Sequence, residues 1–493
     1  MADVGANLKN ANVKANATDT SDANAKTAAV KAGRVPRELR AWKALRVARQ
    51  LPDGVSDPAF RALVQRIDGG PMHTSPPVAL YADGEAAFAR MGEAIASATR
   101  EVLVETYILR DDRIGEAVQT ALLTCAARGV RVCVLADAVG SFTTRDRFWD
   151  RLTAGGVAVR HFHRFWHHPL EALRRDHRKL LVVDRRVAFT GGMNIGEEYG
   201  SSVRRHEDAW RDSAVELRGT VAEELAAVFA EGWDRARGEP LPGLEYVSWA
   251  DGVVHGPPRV ERPFSARALS ARVQWQVQSR LARRLARRRD RTRGRLVRRP
   301  LGETGTPDGD EPSVLVLDPR PGRAQRETLT ILAALVGGAR KRLWITTPYF
   351  APPTRALRML AGAAARGVDV RLLLPSARTD VPLVRHAAHG AYSMLLKRGV
   401  RIYEYAAATL HAKTLVVDDA VGLIGSSNLD FRSFWLNAEC NVLVFDRAFA
   451  SELAEDFLED VADSEEIAAG AWEARSVGHK LLDAGARAMR WAL

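Results

Sequence analysis

Two short apolar runs, Leu180–Val183 and Thr414–Val417, each follow a segment with a His and a Lys, and each ends on an Asp. Runs of this length, rich in Val and Leu and bounded by charge, predict buried strands. Around the first run the apolar and polar positions predict a regular succession. Glu85–Thr99 reads as a helix, Val102–Ile108 as a strand, and Ile114–Arg128 as a helix stopped by Gly129. Val130–Leu135 reads as a strand, Phe148–Gly155 as a helix, Val157–Arg160 as a short strand and Val187–Thr190 as the strand after the run. Strands alternating with helices of this length predict parallel pairing in an α/β layered domain.

The plan then recurs. RLWITTPYF at 342–350 matches EVLVETYIL at 101–109, AARGV at 364–368 repeats 126–130, and LKRGVRIY corresponds to LTAGGVAVR. A repeat of roughly 150–180 residues is too long for a solenoid. It predicts two homologous α/β domains about a pseudo-two-fold axis, with a central cleft as the ligand site. The expected divisions are a disordered Ala/Asn/Lys/Asp-rich tail at 1–33, a basic helix and lead-in at 34–77, and a first domain at 78–250. An Arg-rich amphipathic helix and linker follow at 251–311, a second domain at 312–465 and a C-terminal helix at 466–493.

The repeat carries chemistry. His177, Lys179, Asp184 and Asn194 recur as His411, Lys413, Asp418 and Asn428 at a constant offset of 234. On an extended chain, residues two apart share a face, so each His stands beside its Lys. The Lys suits a non-bridging phosphate oxygen, and a neutral imidazole can attack phosphorus or pass a proton. Two facing copies supply a nucleophile and a general acid, with two Lys and two Asn to hold developing negative charge. No metal or other cofactor is expected there. Asp184 and Asp418, at strand ends before turns, read as supports of the site. Asp212 and Glu439 are candidates to accept an imidazole N–H and fix its tautomer. Ser426 and Ser427 are candidate phosphate donors, where the first half has Gly191 and Gly192. His161, His163, His167 and His168 lack a nearby Cys or carboxylate at fitting spacing, and read as a loop at the cleft mouth.

The duplicated H-x-K-x4-D resembles the signature of the phospholipase D superfamily. Further segments resemble a bacterial cardiolipin synthase: ITTPYFAPP, GSSNLDFRSFWLNAEC, GGMNIGEEY and AWRD. The likeness covers about residues 78–250 and 312–460. It implies a phosphatidyltransferase that joins two phosphatidylglycerol molecules and releases glycerol. It also implies a phosphohistidine on one His, assigned to His177, with His411 as acid/base, and acid–imidazole pairs that cross between the halves. Hydrolysis to phosphatidic acid, a nuclease of the same superfamily, and a non-catalytic membrane adaptor are the alternatives.

Charge adds a location. The net charge is +12, but residues 280–299 hold eleven Arg and one Asp, so the rest of the chain is close to neutral. That segment suits anionic lipid headgroups, a solvated linker helix or, least of the three, nucleic-acid phosphates. Val35–Gln50 places a base at every third position and reads as a solvated helix face, with a basic interfacial helix as the alternative. The C-terminal stretch, with Leu481, Leu482, Met489 and Trp491, suits either a membrane surface or docking on the second half. No run reaches the roughly 20 apolar residues of a membrane span. The chain therefore resembles the shorter type of cardiolipin synthase, peripheral on the inner face of the cell membrane. Cys125, Cys133 and Cys440 are odd in number and scattered, which favours a reducing, cytoplasmic setting.

Overall fold

The computed structural model describes residues 41–162, 174–202, 208–244, 246–247, 254–255, 312–319 and 324–488. The 1–33 tail, most of the 251–311 segment, and His163, His167 and His168 lie outside them.

The first half is built on strands β2 (Ala79–Tyr81), β3 (Glu101–Thr106), β4 (Arg131–Asp137), β5 (Ala158–Phe162), β6 (Leu180–Val183), β7 (Val187–Gly191) and β9 (Ala214–Arg218). They form one sheet in the order β2-β9-β7-β6-β3-β4-β5. The second half has β12 (Ser313–Leu317), β13 (Arg342–Thr346), β14 (Asp369–Pro375), β15 (Arg401–Tyr405), β17 (Thr414–Val417), β18 (Val421–Gly425) and β19 (Asn441–Phe445). Its sheet runs β12-β19-β18-β17-β13-β14-β15, the same order, extended by β1 (Met72–Thr74) at one edge and β20 (Ser464–Glu466) at the other. The predicted duplication is therefore a duplication of topology.

Within these two sheets parallel pairing holds only for β3-β4-β5 and β13-β14-β15, where helices make the crossovers. The remaining pairs in both sheets are antiparallel, so the sheets are mixed. The reason is local. Tight turns at Asp184–Arg185 and Asp418–Asp419, with φ between 51° and 58°, reverse the chain after each motif strand. A left-handed residue other than Gly costs about 1–2 kcal/mol. Each Asp offsets this by bonding backbone. Asp184 accepts from the amides of Thr99, Arg100 and Glu101 at 2.7–2.9 Å and from the Thr99 hydroxyl. Asp418 accepts from the amides of Arg340, Lys341 and Arg342 at 2.7–2.9 Å.

The outer face of the first sheet packs Val102, Val104, Leu181 and Phe189 under the helices Gly84–Ala96 and Arg113–Ala127. The inner faces of both sheets share one core. Leu103, Leu180 and Val182 join Leu225 and Phe229 of the helix Thr220–Arg235, then Val316, Trp344 and Val416, and finally Leu453 and Phe457 of the helix Arg447–Ala462. The lead-in belongs to the second half. The helix Ala41–Gln50 buries Ala44, Leu45 and Ala48 on the helix Ala324–Gly338, whose Gly337 comes so close that a Cβ there would stand 2.5 Å from the Leu45 carbonyl oxygen. The helix Val477–Ala488 docks on the helix Pro382–Leu396. All three cysteines are buried and unpaired. Among the described residues, no helix is long and apolar enough to cross a membrane. A minor pair, β10 (Tyr246–Val247) and β11 (Val254–His255), stands apart.

Candidate active site

The two halves exchange backbone at the site. Just before the first motif, Asp176 bridges Ala438; the His177 amide donates to the Ala438 carbonyl, and the Ala438 amide donates to that of Arg175. Before the second motif, β16 (Thr409–Leu410) pairs in parallel with β8 (Trp210–Arg211), and the His411 amide donates to the Arg211 carbonyl. Each histidine is thus set next to the residue that follows a bridge in the opposite half. Those residues are Glu439 and Asp212.

His177 Nδ1 lies 3.0 Å from Glu439 Oε2, and His411 Nδ1 lies 2.6 Å from Asp212 Oδ2. With Nδ1–H donating to a carboxylate, each ring keeps Nε2 and its lone pair free. Glu439 is wholly buried and also accepts from Ser426 Oγ at 2.5 Å, Ser433 Oγ at 2.8 Å and Asn437 at 3.3 Å. Lys179 donates to the His177 carbonyl at 2.7 Å, and Lys413 donates to that of His411. That leaves two donors of the Lys179 ammonium, while Lys413 Nζ also stands 2.8 Å from His411 Nδ1.

Burial governs the charges. It pushes His177 down to about 4, against the pull of Glu439 and with help from Lys179 and Lys413. It brings Lys179 to about 7, with Lys413 adding to the effect. Burial and then Lys413, whose Nζ is 2.8 Å from Nδ1, lower His411. Burial lowers Lys413. For the acids burial acts in the opposite direction and loses. His177, Lys179 and Ser426 hold Glu439 below its ordinary value, and Lys413 with His411 do so for Asp212. Burial thus favours neutral imidazoles beside ionised carboxylates and weakens the hold of both lysines on their protons.

Aromatic rings wall both histidines. Tyr107 meets His177 edge-on at 5.0 Å, and Tyr199 and Trp210 stand 5.3 Å from His411. Tyr349, the counterpart of Tyr107, lies at 6.4 Å and donates to Asp380. In the sequence TYI and TPYF stand out as matching strand ends and as part of the family likeness, with no role given to the tyrosines; their equivalent positions in the two halves were the available signal. Arg178 was also passed over. Its side chain, opposite in facing to its two motif neighbours, is buried against Glu105 at 3.5 Å and against Asp318 of the other half.

The other candidates stand at different distances, Ser426 nearest, with its carbonyl oxygen 3.1 Å from His177 Nδ1. Asp184 and Asp418 follow the motif lysines by five extended residues, roughly 16 Å along the strand. Asn194 is buried, with Oδ1 accepting from the Ile108 amide at 3.2 Å, while its Nδ2 and the Asn428 Oδ1 have no partner among the described residues. Ser426 spends its hydroxyl on Glu439, and Ser427 is held by Asn441, which donates to its Oγ at 2.8 Å. The comparison of both serines with Gly191 and Gly192 is one place out of register: at the motif offset Ser426 faces Gly192, and Ser427 faces Met193. Gly192 has its own reason, since a Cβ there would stand 2.1 Å from Asp212 Oδ1. His161, on β5, meets Trp149 at 4.7 Å.

Comparisons with known proteins agree with this architecture. Residues 91–233 and 332–461 match a family model described as a cardiolipin synthase, phospholipase D-like domain. Cardiolipin synthase 1 of Bacillus anthracis is 30% identical over 449 residues, 91% of this chain and 78% of that protein. Cardiolipin synthase 2 of the same organism is 31% identical over 404 residues, 81% of this chain and 68% of that protein. The crystal structure of phosphatidylserine synthase from Haemophilus influenzae Rd KW20 superposes with a TM-score of 0.62 at 15% identity, over 88% of this chain and all of that one, a likeness of fold. Duplicated topology, paired motifs and relatives matched over most of their length place the chain in the cardiolipin synthase family of phospholipase D-like proteins.

Proposed function

We propose that the protein is a phosphatidyltransferase that makes cardiolipin and glycerol from two molecules of phosphatidylglycerol. The observation that carries the reading is the pair of imidazoles, each backed through Nδ1 by a carboxylate of the other half. The phosphodiester sits between Lys179 and Lys413, whose remaining N–H groups take its non-bridging oxygens. Its negative charge offsets the lysine repulsion and lets His411 hold a proton. His177 Nε2 attacks phosphorus, the bond to the headgroup glycerol oxygen breaks, and His411 gives that oxygen its proton. The hydroxyl of a second phosphatidylglycerol then loses its proton to His411 and attacks phosphorus, and the P–N bond breaks. His177 returns neutral, and Glu439 and Asp212 carry the transient imidazolium charge. Asn194 and Asn428 support the loops around the phosphate, and Asp184 and Asp418 the strands beneath.

We place the enzyme peripherally on an anionic membrane, on the cytoplasmic side. Phe142, 78% exposed on the loop after β4, gives that surface an apolar contact near the site, because the same loop's Ser141 bonds the Tyr107 carbonyl and the Leu109 amide.

The test is purified protein with phosphatidylglycerol vesicles and EDTA, with products resolved by mass spectrometry. Cardiolipin with an equal amount of glycerol is expected, and none from His177→Ala. Phosphatidic acid alone would overturn transfer in favour of hydrolysis. Loss of turnover in EDTA, restored by metal, would overturn the metal-independent chemistry.

A further inference from the structure

We propose that His386, His389 and Asp483 form a binding site for a divalent transition-metal ion, best suited to zinc, that ties the helix Val477–Ala488 to the helix Pro382–Leu396. The site is separate from the two motifs, and the inference does not depend on the reaction proposed above.

His386 and His389 are three apart on one helix and so share a face. Asp483 reaches them from the other helix. Its Oδ1 lies 3.0 Å from His386 Nδ1 and 3.4 Å from His389 Nδ1. All three donor atoms lie within 4.8 Å of one another, and no other such group occurs among the described residues. A tetrahedral zinc with ligands at 2.0–2.1 Å sets neighbouring ligand atoms about 3.3 Å apart. The two measured edges lie on either side of that value. Nitrogen and carboxylate donors without thiolate are a set that zinc accepts.

The surroundings occupy the atoms a metal would not use. His389 Nε2 is 2.9 Å from Glu404 Oε1, which fixes the N–H on Nε2 and turns the Nδ1 lone pair toward Asp483. Glu404 is itself held by Arg385 at 2.7 Å and Tyr392 at 3.1 Å. Asp483 Oδ2 accepts from Arg475 at 2.8 Å, leaving Oδ1 as the ligand. Tyr392 and Trp472 meet the His389 ring at 5.1 and 4.9 Å and hold its plane. A cavity of about 510 Å³, lined by His389, Asp483, Ser393, Arg475, Lys480 and Arg487, adjoins two of the three donors and leaves room for a further ligand. Its cations lower the affinity relative to a thiolate site and suit an anionic fourth ligand.

The experiment uses the full chain, stripped with chelator and titrated with zinc by calorimetry and with cobalt by visible absorption. One equivalent of zinc, a higher thermal midpoint with zinc, and tetrahedral cobalt absorption are expected. His386, at the rim, can be changed without loss of a buried group. His386→Ala should lose the one-equivalent binding and the thermal shift, and Glu404→Gln should weaken zinc about 10–100-fold. Absence of zinc binding to the wild-type chain, or equal affinity in wild type, His386→Ala and Asp483→Asn, would overturn the site. None of these readouts involves turnover, and turnover lost in EDTA and restored by metal in His386→Ala as in wild type would count against the reaction alone, so either proposal can fail by itself.

Discussion

Glu439→Gln tests whether the carboxylate behind His177 sets the reactive form of the ring. Oε1 of Glu439 accepts from Ser433 and Asn437, and Oε2 faces His177 Nδ1 and Ser426 Oγ. The glutamine oxygen has to occupy the Oε1 position, because Asn437 presents an N–H there. Its NH2 then points at His177 Nδ1, which becomes an acceptor and moves the ring proton to Nε2. In the proposed cycle the nucleophilic lone pair would be lost, and so would the negative charge that stabilises a phosphorylated ring. The corresponding loss in a hydrolytic triad is about 10⁴-fold. Here about 10³–10⁴-fold is expected, near 4–5.5 kcal/mol of barrier at 1.36 kcal/mol per decade. The assay is the initial rate of cardiolipin formation from phosphatidylglycerol vesicles, beside a thermal melt showing the variant folded. A folded Glu439→Gln within tenfold of wild type would refute the tautomer argument.

Asp184→Ala should cost about 2 kcal/mol in urea unfolding, after discounting for its partial exposure, while turnover per folded molecule stays near wild type. Its backbone bonds outweigh burial and hold its carboxyl below the usual range. That stability is full above the unfolded carboxylate value, near pH 4, and is lost as pH falls through the lower folded value. The difference between Asp184→Ala and wild type should therefore shrink in acid denaturation curves. The profile of kcat/KM should fall below pH about 4, where His177 gains a proton, and above pH about 7, where Lys179 loses one; a flat profile through pH 9 would contradict the role given to Lys179. Phe142→Asp should weaken vesicle co-sedimentation roughly 10–100-fold, the equivalent of a phenyl ring's burial at 1.5–3 kcal/mol, without changing a water-soluble substrate's turnover.

Local pattern carried most of the fold into view. The motif strands and the helices around them lie within a few residues of their sequence-read limits, because caps such as Asp83 and Asp112 and the positive-φ Gly129 mark them chemically. Strand direction did not follow from alternation. It depends on turns at Asp184 and Asp418, whose left-handed backbone is uncommon outside Gly and is stabilised by amides more than 75 residues away in sequence. The docking of Ala41–Gln50 depends on Gly337, nearly 300 residues downstream. At the site, the paired His and Lys were legible because they repeat at one offset. The acids repeat at 227 rather than 234, so the duplication alone does not align them. Which histidine each serves is decided by backbone bridges between halves.

Those reciprocal bridges make activity a report on assembly. A half folded alone would have a histidine and a lysine but no carboxylate behind the ring, and could not run the cycle proposed here. A chain still emerging, or one whose halves have docked out of register, therefore lacks the acid–imidazole pairs that the proposed reaction needs. The same reciprocity offers an engineering handle. Two inactive variants, one altered at His177 and one at His411, cannot rescue each other by mixing unless their halves trade places between molecules, so restored turnover would be a direct measure of domain exchange.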